Sequence, residues 1–138
     1  MSRLALIVAA LAFAGQAVAA TPGPHGRYGL DVEATYANLE AIKAGSPKAK
    51  ELLQQTKDLL VFEFQADRVT FLVHDNAGKE QSTGTCRWRL QQDAVTLDQC
   101  QAGGGPFAFD GKMTYDAGGD ILSVQGKGAP AAAVYRPK

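Results

Sequence analysis

The sequence predicts one small, mostly β domain of the α+β class. It is expected to be an antiparallel meander of seven or eight strands closing to a small barrel or curved sheet, with an N-terminal helical hairpin packed as a lid or plug. Three observations predict this. Apolar residues recur at helical spacing before residue 60 and at a period of two from Leu60 onward. Clusters rich in Gly, Pro, Asn and Asp then punctuate the chain at the short intervals of a meander. An open meander would leave two hydrogen-bonding edges exposed, and closure removes them.

Residues 1–19 are expected to be a cleavable secretory signal. Arg3 gives a positive start, Leu4 to Gly15 is uncharged and apolar, and Ala17-Val18-Ala19 offers small residues to a signal peptidase. An apolar run of about a dozen residues falls short of the roughly 20 that span a bilayer, and Thr21-Pro22-Gly23-Pro24 breaks any helix after it. Cleavage is expected after Ala19, with Ala20 the next choice. No cysteine lies near that point to carry a lipid, so the mature chain should have no membrane anchor and be soluble in the periplasm or outside the cell. Residues 20–26 read as a linker and 27–138 as a single domain, a size for one core.

The whole chain carries 14 Lys+Arg against 14 Asp+Glu, and losing Arg3 with the signal leaves the remainder at −1. Such a balance argues against nucleic acid, which demands a basic field, and against electrostatic binding to anionic membrane.

After a short extended segment at Arg27 to Leu30, Asp31 is placed to cap a helix and Glu33 favours its N-terminus. Val32, Tyr36, Leu39 and Ile42 share one helical face, and Gly45 is expected to end that helix in a left-handed conformation. Ser46-Pro47 restarts the chain as cap and first turn of a second helix. Its apolar face is Ala49, Leu52, Leu53, Thr56, Leu59 and Leu60, so the hairpin spans 32–60. Its combined stripe is expected to lie on the sheet; the alternative is a partner-binding helix surface.

Strands follow at Leu60 to Gln65, Val69 to Val73, Ser82 to Leu90, Ala94 to Cys100, Phe107 to Tyr115, Ile121 to Gln125 and Ala131 to Arg136. Ala66-Asp67-Arg68 reads as a turn, as do Asp75 to Gly78, Gln91 to Asp93, Ala102 to Pro106, Asp116 to Asp120 and Gly126 to Pro130.

Two cysteines in an exported chain imply a disulfide. If Leu90 pairs with Val95, Trp88 faces Leu97 and Cys86 faces Gln99, one place short of Cys100. A β-bulge near Asp98-Gln99 would bring Cys100 opposite Cys86, and both bulge and bond are expected.

The segment Gly26-Arg27-Tyr28-Gly29-Leu30-Asp31, the stretch Thr83-Gly84-Thr85-Cys86-Arg87-Trp88, the hairpin Asp93-Ala94-Val95-Thr96-Leu97 and the closing Val134-Tyr135-Arg136 resemble a class of uncharacterised exported bacterial proteins of lipocalin-like (calycin-like) build. The resemblance implies a fold and an envelope address. It carries no catalytic residues, and the cysteine pair departs from its pattern.

Chemistry is sparse. Ser46, Ser82 and Ser123 lack a nucleophile context, and His25 and His74 are the chain's two histidines. His25 lies in the linker, and His74 reads as a hydrogen-bonded turn histidine. The two cysteines and two histidines stand at no zinc spacing. Glu63, Asp31, Glu33, Asp110 and Asp120 have ordinary strand or cap positions and make no evident glycosidase pair. Gly103-Gly104-Gly105 lacks the Lys-Ser/Thr of a phosphate loop, and Asp116 to Asp120 lacks the spacing of a calcium loop. No catalytic residue, metal or cofactor is expected.

Two features retain functional interest. Arg87 and Arg89 share a strand face and are candidates for an anion or partner contact, with a solvated face paired to Glu63 or Asp98 as the plain alternative. Phe62, Phe64, Phe71, Trp88, Phe107 and Phe109 are read as packed core, with a ligand cavity as the alternative. These rank the roles: a non-enzymatic envelope protein that binds another protein, as an inhibitor or immunity-type module; then a carrier of a small apolar ligand; then a hydrolytic enzyme.

Overall fold

Alternation of side chains across a closed sheet organises residues 23–138, which are those described by the computed structural model. The expected signal segment and its cleavage point lie outside the described residues. In chain order the elements are β1 (Gly26–Leu30), α1 (Val32–Ala41), α2 (Pro47–Thr56), β2 (Leu60–Phe64), β3 (Arg68–His74), β4 (Glu80–Gln91), β5 (Ala94–Ala102), β6 (Gly105–Phe107), β7 (Gly111–Asp116), β8 (Ile121–Gly126) and β9 (Ala133–Pro137). Neighbours run β4-β3-β2-β1-β9-β8-β7-β5, and β5 returns to pair with β4. Eight antiparallel strands therefore close a barrel, with β6 as a ninth strand appended to β5.

The single strand expected over Phe107 to Tyr115 is instead two, β6 and β7, separated by Ala108 to Asp110. The cause lies in β5. Its far half pairs with β6, at Cys100–Phe107, while its near end meets β7 through Ala94–Thr114. One strand cannot follow both paths, so the chain leaves the sheet between them.

Period-two alternation sends one face of each strand inward. Tyr28 and Leu122 are fully buried, and Phe62, Phe64 and Tyr135 join them in one cluster. The rings pack edge to face, with centroids 5.7 Å apart for Tyr28–Phe64, 4.9 Å for Phe62–Tyr135 and 5.5 Å for Phe64–Trp88. Each such side chain contributes about 1.5–3 kcal/mol when fully buried. Of the six aromatics read as core, Phe62 and Phe64 are buried, and Phe71, Trp88, Phe107 and Phe109 are partly buried and pack against the cluster. The Trp88 indole N–H donates to the Gln65 carbonyl at 2.9 Å, so its one polar atom is satisfied.

The helical hairpin docks by a narrower face than its apolar stripe suggested. Val32 and Thr35 are the buried residues of α1, whereas Ile42 is about half exposed. β1 stops pairing with β9 at Leu30–Tyr135, which leaves the next residues of β9 paired to β8 on one edge and open on the other. Asp31 N–H donates to the Val134 carbonyl at 2.7 Å, and Val134 N–H donates to the Thr35 hydroxyl at 2.9 Å. Asn38 adds a bond to the Ala132 carbonyl at 3.0 Å. α1 therefore closes the sheet edge by hydrogen bonding, and polar Thr35 and Asn38 do what the apolar pattern assigned to Tyr36 and Ile42.

α2 has no buried residue, and Leu52 is 51 % exposed. Leu60, expected on its stripe, opens β2 instead. Both caps are as read: Asp31 accepts from Ala34 N–H and Ser46 from Ala49 N–H, each at 3.0 Å. The left-handed residue after α1 is Lys43 (φ 60°), not Gly45. Ile42, Lys43 and Ala44 N–H groups close back on Leu39 and Glu40 and complete the turn before Gly45 is reached. Gly45 is needed for space, since a Cβ there would lie 2.8 Å from Glu40 Cγ.

Candidate functional site

The β4–β5 ladder carries the register read from the sequence: Leu90–Val95 and Trp88–Leu97 pair, and pairing then shifts between Thr85 and Arg87. Thr85 meets Gln101 and Arg87 meets Asp98, so Cys86 on one strand spans Gln99 and Cys100 on the other. This is the bulge. Gln99 holds a left-handed backbone (φ 50°), sparsely populated for a residue with a side chain. Cys86 and Cys100 are joined by a disulfide across it, their Cα atoms 4.0 Å apart, and both are buried.

The same register fixes what lies on the outer face. Val69 pairs with Cys86 inside the barrel, so their neighbours Arg68 and Arg87 are direct cross-strand partners outside it. Two like charges at such positions destabilise a sheet. Arg68 and Arg87 join none of the ion pairs found among the described residues. With Thr85, Gln99, Gln101 and the buried Cys86 they line an open cleft of about 310 Å³. The cleft walls carry two guanidinium groups, one hydroxyl and two amides, and no carboxylate. Such a set offers many donors to an anion.

Arg89 behaves differently from its face-mate. Its guanidinium lies 3.5 Å from the Asp98 carboxylate. Asp98 is the cross-strand partner of Arg87, yet it reaches diagonally to Arg89 and leaves Arg87 without it. Glu63, the other acid considered for these arginines, sits 3.8 Å from Arg27. Arg68 escaped the sequence reading because it was placed in the turn after β2. The signal was present, since pairing Phe64 with Val69 makes Arg68 the first residue of β3.

Two polar clusters lie elsewhere. Asp120 Oδ1 accepts from the Tyr28 hydroxyl at 2.6 Å and the Tyr115 hydroxyl at 2.7 Å, while His25 N–H donates to the Tyr28 oxygen at 3.1 Å. Burial first, and then the bond to Asp120, pushes both phenols above their ordinary range. Asp120 (φ 55°) read as a strand-end residue in sequence, and while Tyr115 lies just across the β7–β8 turn, nothing local announces Tyr28 as its second partner. At the other cluster, His74 Nδ1 lies 2.9 Å from the Asp58 carbonyl and Nε2 lies 2.9 Å from Glu80, which also pairs with Arg27. His74 is thus a structural tie between the end of the helical hairpin and the β3–β4 hairpin.

Among the described residues no group of three or more His, Cys, Asp and Glu side chains is placed to hold a metal ion, and no described helix is long and apolar enough to cross a membrane. Gly103-Gly104 forms the turn between β5 and β6, and Asp116 accepts from Gly118 N–H in the β7–β8 turn. Comparisons with protein-family models, curated proteins and solved structures give no match.

Proposed function

We propose that this chain is a non-enzymatic, soluble protein of the cell envelope that binds another protein, as an inhibitor or immunity-type module does, and that Arg68 and Arg87 are its contact. The observation that carries the reading is the unneutralised arginine pair. A like-charge pair across two strands costs stability, and Arg68 and Arg87 sit beside the strand positions that the Cys86–Cys100 disulfide ties together. A partner that supplies negative charge would offset that cost. The apolar, Arg-led segment 1–19 supports an exported address, and a disulfide suits an oxidising compartment. The lipocalin-like resemblance is compatible with the closed eight-stranded barrel.

The test is photocrosslinking in an envelope extract from a position beside the cleft and outside its lining, such as the exposed Asp67 next to Arg68, with wild type and an Arg68→Ser/Arg87→Ser variant. One discrete crosslinked protein, lost in the double variant, is expected. The same product from both chains would remove these residues from the contact.

A second reading, a carrier of a small apolar ligand, rests on one observation. The seam between β5 and β7 is held by the single bridge Ala94–Thr114, and beside it lies a cleft of about 440 Å³ lined by Val95, Leu97, Phe109 and Met113. Displacement of a fluorescent fatty acid from the protein, abolished by Phe109→Trp filling, is the result this reading requires.

A further inference from the structure

Resting on the reading of the Arg68–Arg87 cleft as the partner contact, we propose that the group it takes is a single carboxylate, the side chain of an aspartate or glutamate in an exposed acidic segment of the partner.

Cross-strand partners hold their Cβ atoms about 4.5–5.5 Å apart, so the two exposed guanidinium groups of Arg68 and Arg87 can converge on one small anion. The planar fork of each matches the two oxygens of a carboxylate. Thr85 hydroxyl and the amides of Gln99 and Gln101 border the same space. The bulge at Gln99 turns that residue out of the ladder, and the Cys86–Cys100 bond fixes the strands beneath. The backbone under the site is therefore set before a ligand arrives, and binding has to order the two arginine side chains alone.

Asp98 stands next to the pair: it is the ladder partner of Arg87 and lies 3.5 Å from Arg89. Its negative charge weakens the pull of the two arginines on any anion. A carboxylate is the anion that a protein partner carries on its own side chains, and the cleft is assigned to it on that ground. The chain as a whole is close to neutral, so attraction is local and screened by salt, as for a short acidic segment and not for a polyanion.

The experiment is an NMR titration of the exported, nitrogen-15-labelled protein, following the arginine Nε–H signals. The probes are a short peptide with two glutamates, its glutamine counterpart, and inorganic phosphate. The acidic peptide should shift the Arg68 and Arg87 signals together, with phosphate and the glutamine peptide at least tenfold weaker. Arg68→Lys and Arg87→Lys, which keep the charge but lose the fork, should each weaken the peptide at least tenfold. Asp98→Asn should tighten it severalfold. Phosphate binding as well as the peptide, lysine variants binding like wild type, or no response to the acidic peptide would each overturn the carboxylate assignment. If the assignment fails while the crosslink of the preceding section still depends on both arginines, the contact stands and its chemistry is different. If the crosslink is also indifferent to them, the contact itself is wrong.

Discussion

Cys100 stands opposite Cys86 because Gln99 takes one extra place in β5, with its backbone in the left-handed region. The disulfide and the bulge are thus one device. Cross-linking a loop of this length, with 14 residues of separation, is worth roughly 3 kcal/mol. Urea unfolding with and without reductant should show a loss of about that size, and the unreduced, denatured chain should titrate no free thiol. Gln99→Gly should relieve the backbone and raise stability by about 0.5–1 kcal/mol. A destabilised glycine variant would mean that the bulge carries no such strain.

Tyr28 and Tyr115 share one acceptor oxygen on Asp120. Their phenols, and that of Tyr135 through burial, are held above the ordinary value near 10. A raised pKa means stability fully present below about 10 and lost as pH rises toward the folded value. Tyrosinate absorbance should therefore lag behind that of free tyrosine on alkaline titration, and then rise together with unfolding. Asp120→Ala leaves two part-buried hydroxyls without their acceptor and should cost about 1–3 kcal/mol.

Asp31 carries the opposite sign. The amide of Ala34 first, and then Arg136, hold its carboxyl below the ordinary carboxylate value, against some burial. Its contribution is present above about pH 4 and lost as pH falls through the folded value. Asp31→Ala should cost about 1–2 kcal/mol at neutral pH, and the gap from wild type should narrow in acid. Thermal melts of both chains between neutral pH and pH 2 measure it.

Leu52 belongs to the helical stripe that was expected to lie on the sheet and is exposed, whereas Leu122 in β8 is fully buried. Leu122→Ala should cost about 2–5 kcal/mol, whereas Leu52→Ala should stay within about 0.5 kcal/mol. Equal losses would place α2 against the barrel.

The barrel was legible because its strands alternate: Phe62, Phe64, Val69 and Tyr135 keep one parity and one face. The disulfide register followed from counting back from the Leu90–Val95 pair. Two things were not legible, for different reasons. The docking face of α1 rests on Thr35 and Asn38 bonding to β9, about 95 residues away in sequence, and no local period encodes such bonds. The arginine pair needed the β3–β4 register as well as the β4–β5 register, and a turn assignment one residue too long hid Arg68. Arg87 was seen, but with Arg89 as its companion, because residues two apart on one strand are easier to associate than residues on neighbouring strands.

The central claim is that Arg68 and Arg87 are retained against their own stability cost. A double-mutant cycle with Arg68→Thr and Arg87→Thr, read by urea unfolding at low salt, tests it without a partner in hand. Each single change should stabilise the protein by up to about 1 kcal/mol, the double change should add little beyond the first, and the gain should shrink in high salt. Single variants that are less stable than wild type, with additive losses insensitive to salt, would show the arginines to be ordinary structural residues and would contradict the account.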